Sequence, residues 1–460
     1  MCSDRTSAAP VTTTASTALE LDDIQFGMLH RRPASYVGAY LLLRIDDPQA
    51  GRKLVKRLLP VIESARSSSD PAQHAWVSVA FTYQGLKALG VPQDSLDSFA
   101  PEFRQGMAAR AAELGDVGES SPDHWEKPLG SPDVHVALSV LSPDAARLES
   151  LLVRARRAHE ELAGVELIWR QDCYQLPTGR TSFGFRDGIG QPAMEGTRIP
   201  GSGPDKQPIK AGEFILGYPD ETGSTGPVPT PEVLGLNGTY LVFRKLHTRV
   251  AAYRQYLRAK AASREEEALL GAKMVGRWPS GAPLELCPER DDPDLGADPD
   301  RNNRFGYGDD LRGFKCPAGA HARRANPRDA LDHEMSADVR LHRMFRRGTS
   351  YGPMLPEGVV EDDGADRGII FVFVGAHPKR QFEFVKTQWL NDGIFIGAPA
   401  EKDPLAGAND GSGTFTVPQR PIRRRLQSLP PFVITRGGEY CFAPGIRAMR
   451  WLAELDTQNG

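Results

Sequence analysis

Short apolar runs separated by amphipathic stretches set the tightest limit on how this chain folds. Val37 to Ile45 (VGAYLLLRI), Ala75 to Thr82 (AWVSVAFT), Val134 to Leu141 (VHVALSVL) and Val165 to Tyr174 (VELIWRQDCY) have the length of buried strands. None approaches the ~20 apolar residues of a membrane span. Between them, Gly51 to Ala65 and Pro143 to about Leu162 space their apolar residues as helices do, and a shorter helix, YQGLKAL, stops at Gly90. Short strands alternating with helices predict an α+β sandwich built on an antiparallel sheet. The second half follows a similar plan. Thr239 to Thr248 and Ile369 to Ala376 read as strands, a helix is expected from about Lys379 to Leu390, and Phe432 to Gly445 reads as a closing hairpin around Gly437-Gly438. Residues 190–235 and 279–315 are rich in Gly, Pro and Asp; loops of that length suit wrapping around a ligand. The acidic stretch DDPDLGADPDRNN lacks the ligand alternation and terminal Glu of a calcium loop, so it reads as a solvated loop.

Charge and cysteine content narrow the function classes. Lys and Arg number 56 against 59 Asp and Glu, a net charge of −3, so no basic excess is present for a nucleic-acid partner. The densest basic run, Arg420 to Arg425, is short and interrupted, as a solvated face is. The five cysteines contain no CxxC pair and no CxxCH, which argues against a disulfide scaffold, a structural zinc site and a thioether-linked haem. A reducing compartment, the cytoplasm, is expected. Residues 1–18 are rich in Ser, Thr and Ala without an apolar core and read as a disordered tail. The Arg31-Arg32 pair precedes an apolar stretch that runs directly into Arg44, so it reads as the lead into a strand and not as an export signal. No membrane association is expected.

Three motifs carry chemistry. CPAGAHARRANPR, Cys316 to Arg328, sets His321 among arginines in a loop. GFRDGIGQP, Gly184 to Pro192, puts Asp187 between glycines. RRGTSYG, Arg346 to Gly352, pairs two arginines ahead of a glycine. Singly, each is weak: Asp-Gly is a turn signal and an arginine pair suits an exposed turn.

Together, and in this order, the three motifs resemble those of the dye-decolorizing peroxidases. DDIQ near the start, QFEFVKTQWLND and FVITRGGEYCFAP extend the likeness over roughly Leu21 to Ala453, most similar to the larger cytoplasmic branches of that family. The resemblance implies two ferredoxin-like α+β domains with antiparallel β-sheets and peripheral helices, residues 19–235 and 236–460, with the haem pocket mainly in the second. It implies one non-covalent haem b (iron protoporphyrin IX) per chain. Hydrogen peroxide is the implied oxidant, and dyes, phenols and other aromatic compounds are the donors, oxidised through an oxoferryl intermediate. His321 is then the iron ligand and Asp187 the acid–base that carries a proton between peroxide oxygens. Arg346 would stabilise the charge that develops as the O–O bond breaks. Arg347 is its rival, but strand neighbours point to opposite faces and only one can enter the pocket. Arg323 is the candidate for a haem propionate, a surface ion pair being the other reading. Tyr351 and Trp389 stand where relatives pass electrons to surface donors, although core packing is the favoured reading for each. An acidic optimum for donor oxidation is expected. Two other readings remain: a haem-handling, deferrochelatase-like protein and a haem-free binding module, both on the same fold.

Overall fold

The computed structural model describes residues 18–66, 74–197, 201, 208–332 and 338–455; residues 1–17, nearly all of the expected tail, lie outside them. In the first half, β1 (Val37–Ile45), β2 (Trp76–Phe81), β3 (Val136–Ser142) and β4 (Val165–Tyr174) pair antiparallel in the order β4-β1-β3-β2. Helices Pro48–Leu58 and Ala145–His159 make the β1–β2 and β3–β4 crossings. This is the βαββαβ plan of a ferredoxin-like unit. The first helix begins three residues before the expected start because the Asp47 carboxylate accepts the free N–H groups of Gln49 and Ala50 and Pro48 occupies the first turn. It buries Leu54, Val55 and Leu58 against the sheet and ends before Pro60. β2 is buried along its whole length, whereas β4, the edge, alternates apolar residues with exposed Glu166, Arg170 and Asp172.

The second half repeats the order, a likeness its residues alone do not disclose. β5 (Thr239–Thr248), β6 (Phe345–Arg346), β7 (Thr349–Tyr351), β8 (Gly368–Gly375) and β11 (Val433–Ala443) run β11-β5-β8-β6, with β7 also on β8. β9 (Gly413–Val417) and β10 (Arg424–Leu429) form a separate ribbon. The two halves join through one pair of facing residues, Phe81 on β2 and Phe442 on β11, giving one nine-stranded sheet among the described residues. Its far edges are fastened by side chains. Tyr174 Oη donates to Gly352 O (2.8 Å), Ser350 N donates to Tyr36 Oη (2.7 Å), and Thr349 Oγ1 lies 3.0 Å from Tyr40 Oη. The sheet therefore closes on itself as an α+β barrel.

Two expectations need correction. Phe432 to Gly445 forms no hairpin: β11 runs unbroken from Val433 to Ala443, and the glycines form a bulge where the register with β5 shifts between Thr435 and Gly437. At Gly437, φ is 148° and an added Cβ would lie 2.4 Å from Leu129 Cβ, so glycine is required by close approach and not by a turn. The expected helix over Lys379 to Leu390 forms, but its turns are π-helical, the wider winding that recurs at functional sites. In the acidic loop the carboxylates serve the backbone: Asp292 caps the short helix Pro293–Ala297 and Asp298 accepts the N–H groups of Asp300 and Arg301.

Glu383, inside the π-helical segment, is buried and accepts two bonds from Arg110 (Nε 2.6 Å, Nη2 2.7 Å) and one from Tyr440 Oη (2.6 Å). This links both halves to the segment that walls the cavity described below. Removing the arginine leaves an unpaired buried carboxylate. Arg110→Met is expected to destabilise the protein by about 3–5 kcal/mol, read as a lowered urea midpoint at unchanged slope.

Candidate active site

A cavity of about 280 Å³ opens between one face of the second-half sheet and the loops that cover it. Leu246 of β5, Phe371 of β8 and Val433 of β11 form its sheet wall. Phe382, Val385 and Leu390 of the π-helical segment and Leu405 close it from the other side. The slot is thus apolar, with a few charged groups set into it.

His321 opens the short helix His321–Ala325 and lines the cavity. Its Nδ1 lies 2.9 Å from Asp403 Oδ2, which leaves Nε2 as the ring nitrogen available to a ligand in the cavity. Asp403 is fully buried and fixed by the N–H groups of Leu405 (2.9 Å) and Ala406 (2.7 Å), which donate to its Oδ1. Burial lowers the His321 pKa, but the Asp403 carboxylate outweighs it and the value rises above the ordinary 6.5. For Asp403, burial raises the value and the His321 partner, with the backbone N–H donors, brings it below the ordinary 3.8. No feature of the sequence singles out Asp403, which lies 82 residues from the histidine it orients.

Asp187 and Arg346 line the same cavity. Gly184 (φ 90°) and Gly188 (φ 78°) hold the left-handed turns that carry Phe185–Asp187 over the slot. The loop is then fastened to the edge strand β6: Arg346 N donates to Gln191 Oε1 (3.2 Å) and Gln191 Nε2 donates to Arg346 O (3.3 Å). The Arg346 guanidinium itself reaches Gly190 O (3.1 Å). Arg347 points the other way, buried over the Phe345 ring and donating to Leu29 O (2.6 Å). The strand alternation that favours Arg346 over Arg347 describes what is seen.

Arg323 does not reach the cavity. It is buried, its Nη1 and Nη2 donate to the carbonyls of Cys316 (2.7 Å) and Asp310 (2.9 Å), and its guanidinium sits 4.5 Å above the Tyr307 ring. Neither a propionate contact nor a surface ion pair fits that placement. The cations that do line the slot, besides Arg346, are Arg186, Arg244 and Lys386. Arg244 is bonded to Asp116 and Thr435 (2.5 Å each), with Nε and Nη1 left without partners. Burial pushes the Lys386 ammonium down to about 8, against the attraction of Asp116. Neither belongs to a motif that marks a site in the sequence: Arg244 sits beside Lys245 in a strand and Lys386 among polar and aromatic residues of a helix. Tyr351 (1% exposed) and Trp389 (2% exposed) are core residues, so neither meets a donor at the surface.

Two ferredoxin-like units closed into a barrel, with one free imidazole nitrogen facing an Asp/Arg pair across an apolar slot, define a haem peroxidase. The chain belongs to the dye-decolorizing peroxidase family. Residues 23–163 match the family model of the DyP dimeric alpha+beta barrel domain. The chain is 32% identical to the dye-decolorizing peroxidase AauDyP1 of Auricularia auricula-judae, over 95% of this chain and 87% of that one. To a dye-decolorizing peroxidase of Exidia glandulosa it is 30% identical over the same shares. Among solved structures, a dye-decolorizing peroxidase in complex with 2,6-dimethoxyphenol superposes with a TM-score of 0.81 at 28% identity, covering 95% of this chain and 100% of that one. An ancestral D-type dye-decolorizing peroxidase gives 0.81 at 29% identity, over 94% and 99%. The protein is therefore a peroxidase of a haem-dependent family. No helix among the described residues is long and apolar enough to cross a membrane.

The slot fits a haem on its own features: an apolar enclosure, a ring nitrogen with no other partner, and cations with unused N–H groups. In the cofactor-free protein the His321–Asp403 pair is an ion pair. The histidine's share of its stability is full below pH 6.5 and is lost as pH rises through the raised value; the aspartate's share is present above 3.8 and is lost as pH falls through the lowered one. The melting temperature of the cofactor-free protein is expected to fall as pH rises from 6.5 through the raised His321 value, and Asp403→Asn is expected to flatten that slope in thermal scans.

Proposed function

We propose that this chain binds one non-covalent haem b and uses hydrogen peroxide to oxidise dyes, phenols and other aromatic donors, with His321 as the iron ligand and Asp187 and Arg346 as the catalytic pair. The observation that carries the reading is the position of His321 opposite Asp187 and Arg346 in one apolar slot. A bound haem would supply the redox chemistry, coupling two-electron reduction of peroxide to one-electron oxidation of two donors. His321 would hold the iron through Nε2, while Asp403 keeps the proton on Nδ1 and fixes the ring plane. The Asp187 carboxylate takes the proton from one peroxide oxygen and returns it to the other. The Arg346 guanidinium, held by Gly190 O, faces the oxygen that gains negative charge. In sum, one hydrogen peroxide and two phenols give two waters and two phenoxyl radicals.

Arg244 and Lys386 are the slot cations available to the propionates. Haem b without thioether links is supported by the absence of a CxxCH motif. A cytoplasmic setting is supported by Cys173, Cys287, Cys316 and Cys441, all of them free thiols. The complex of a relative with 2,6-dimethoxyphenol supports phenols as donors here.

An absorption spectrum of the haem-loaded protein, before and after one equivalent of peroxide, tests the reading. The Soret band is expected to lose intensity and shift within seconds. Asp187→Ala is expected to slow that change by about 10²–10⁴-fold, and Arg346→Ala by about 10²–10³-fold, with the resting band retained in both. A resting band indifferent to peroxide would favour the haem-handling reading. Removing the orienting carboxylate, as in Asp403→Asn, is expected to weaken haem binding by about 10–100-fold, measured by haem transfer to apomyoglobin.

A further inference from the structure

A second cavity, of about 480 Å³, adjoins the slot and shares Thr181, Arg186, Asp187, Gly348 and Ile369 with it. Its volume lies within the roughly 300–1,000 Å³ of small-molecule sites, far more than a peroxide molecule needs. Unlike the slot it is polar, walled by Tyr36, Gln175, Thr178 and Ser350. Its charge is one-sided. Arg32, Arg180 and Arg186 line it, and Asp187 is the only carboxylate among its lining residues.

The arginines are not neutralised. Arg186 gives one N–H to Gly296 O (2.8 Å), and Arg32 gives Nε–H to Gly348 O (2.8 Å) while lying 4.5 Å above the Tyr36 ring. Among the described residues, the Arg180 guanidinium has no hydrogen-bond partner and no carboxylate lies within ion-pair distance of any of the three. Like charges gathered in a recess without counter-charge focus a positive potential at its floor. Hydrogen peroxide is neutral and gains nothing from that field; an anion does.

We propose that this vestibule binds a monocyclic phenol bearing a carboxylate, which rests its carboxylate on Arg32 and Arg180 and turns its hydroxyl toward Asp187. The inference rests on the peroxidase reading above. The phenol loses one electron to the peroxide-oxidised enzyme and its hydroxyl proton to the Asp187 carboxylate, and leaves as the phenoxyl radical. Arg32 and Arg180 act on specificity: they select the anionic donor and take no part in peroxide cleavage.

Syringate, which is 2,6-dimethoxyphenol with an added carboxylate, is the probe. Its affinity for the resting holoenzyme is measured by titration calorimetry without peroxide, beside steady-state oxidation of syringate and of 2,6-dimethoxyphenol. Arg180→Gln and Arg32→Gln are each expected to weaken syringate binding about tenfold, the scale of one partly solvated charge-assisted bond, and Arg180→Lys by less. The ratio of kcat/KM for syringate to that for 2,6-dimethoxyphenol is expected to fall in parallel. Raising sodium chloride from about 20 to about 200 mM is expected to weaken wild-type binding, because screening shortens to the dimensions of the recess. Because the Arg180 side chain is exposed and unbonded, its variants test the charge without touching the fold. No measurable syringate binding to the wild type, or equal losses for both phenols in the variants, would overturn the vestibule proposal while leaving the peroxidase reading in place. Arginine-dependent syringate binding in a protein that oxidises neither phenol would do the reverse.

Discussion

The join between the two halves of this site runs through one side-chain amide. Gln191 trades two hydrogen bonds with the backbone of Arg346, so the amide fills the open edge of β6 as a neighbouring strand would. The two residues are 155 positions apart and come from different ferredoxin-like units. β6 is only two residues long, and the clasp adds to its pairing with β8 in holding the Asp187 loop and Arg346 over the slot. The barrel's closure works to the same end, since the Tyr36 and Tyr174 bonds hold Ser350 and Gly352, just beyond Arg346, against the first half.

A site walled by loops has backbone groups that no ladder satisfies. Here buried guanidinium groups do that work. Arg324 alone donates to the carbonyls of Gly319, Trp389, Asp392 and Glu401, tying the His321 loop to the π-helical wall and to the segment that carries Asp403. Arg323 does the same for Cys316 and Asp310. The arginines beside the histidine are therefore scaffold, and the rigidity of the His321–Asp403 pair is what they provide. Reading Arg323 as a propionate partner took proximity in sequence for proximity in space: a helix turns each successive side chain by about 100°, so His321 and its second neighbour face opposite sides.

What was legible follows the range of the interaction involved. The four strands of the first half, the two crossing helices and the alternation that separates Arg346 from Arg347 are local patterns, and local patterns survive translation into structure. His321, Asp187 and Arg346 stand out through motifs, and the structure brings all three to one cavity. Asp403, Arg244 and Lys386 escaped because their roles are set by partners far along the chain, with nothing in their neighbours to mark them. The Gly437-Gly438 pair was misread for a related reason. Two glycines signal freedom at a turn, but here they answer the crowding of Leu129 and Met107 against β11, a tertiary fact.

The junction between the two cavities shows how such constraints combine. Gly348 follows Arg346 by two residues and lines both the slot and the vestibule. A Cβ there would sit 3.2 Å from Ile370 O and 3.5 Å from Ile369 Cγ2, a tight fit against the backbone of β8. The carbonyl that would crowd a side chain at this position belongs to β8, the strand that β7 pairs with. A larger residue at 348 would have to push β8 outward or turn into the opening beside Asp187. Glycine thus suits this point on two counts, the close approach of β8 and a position that borders both the apolar slot and the positively charged recess.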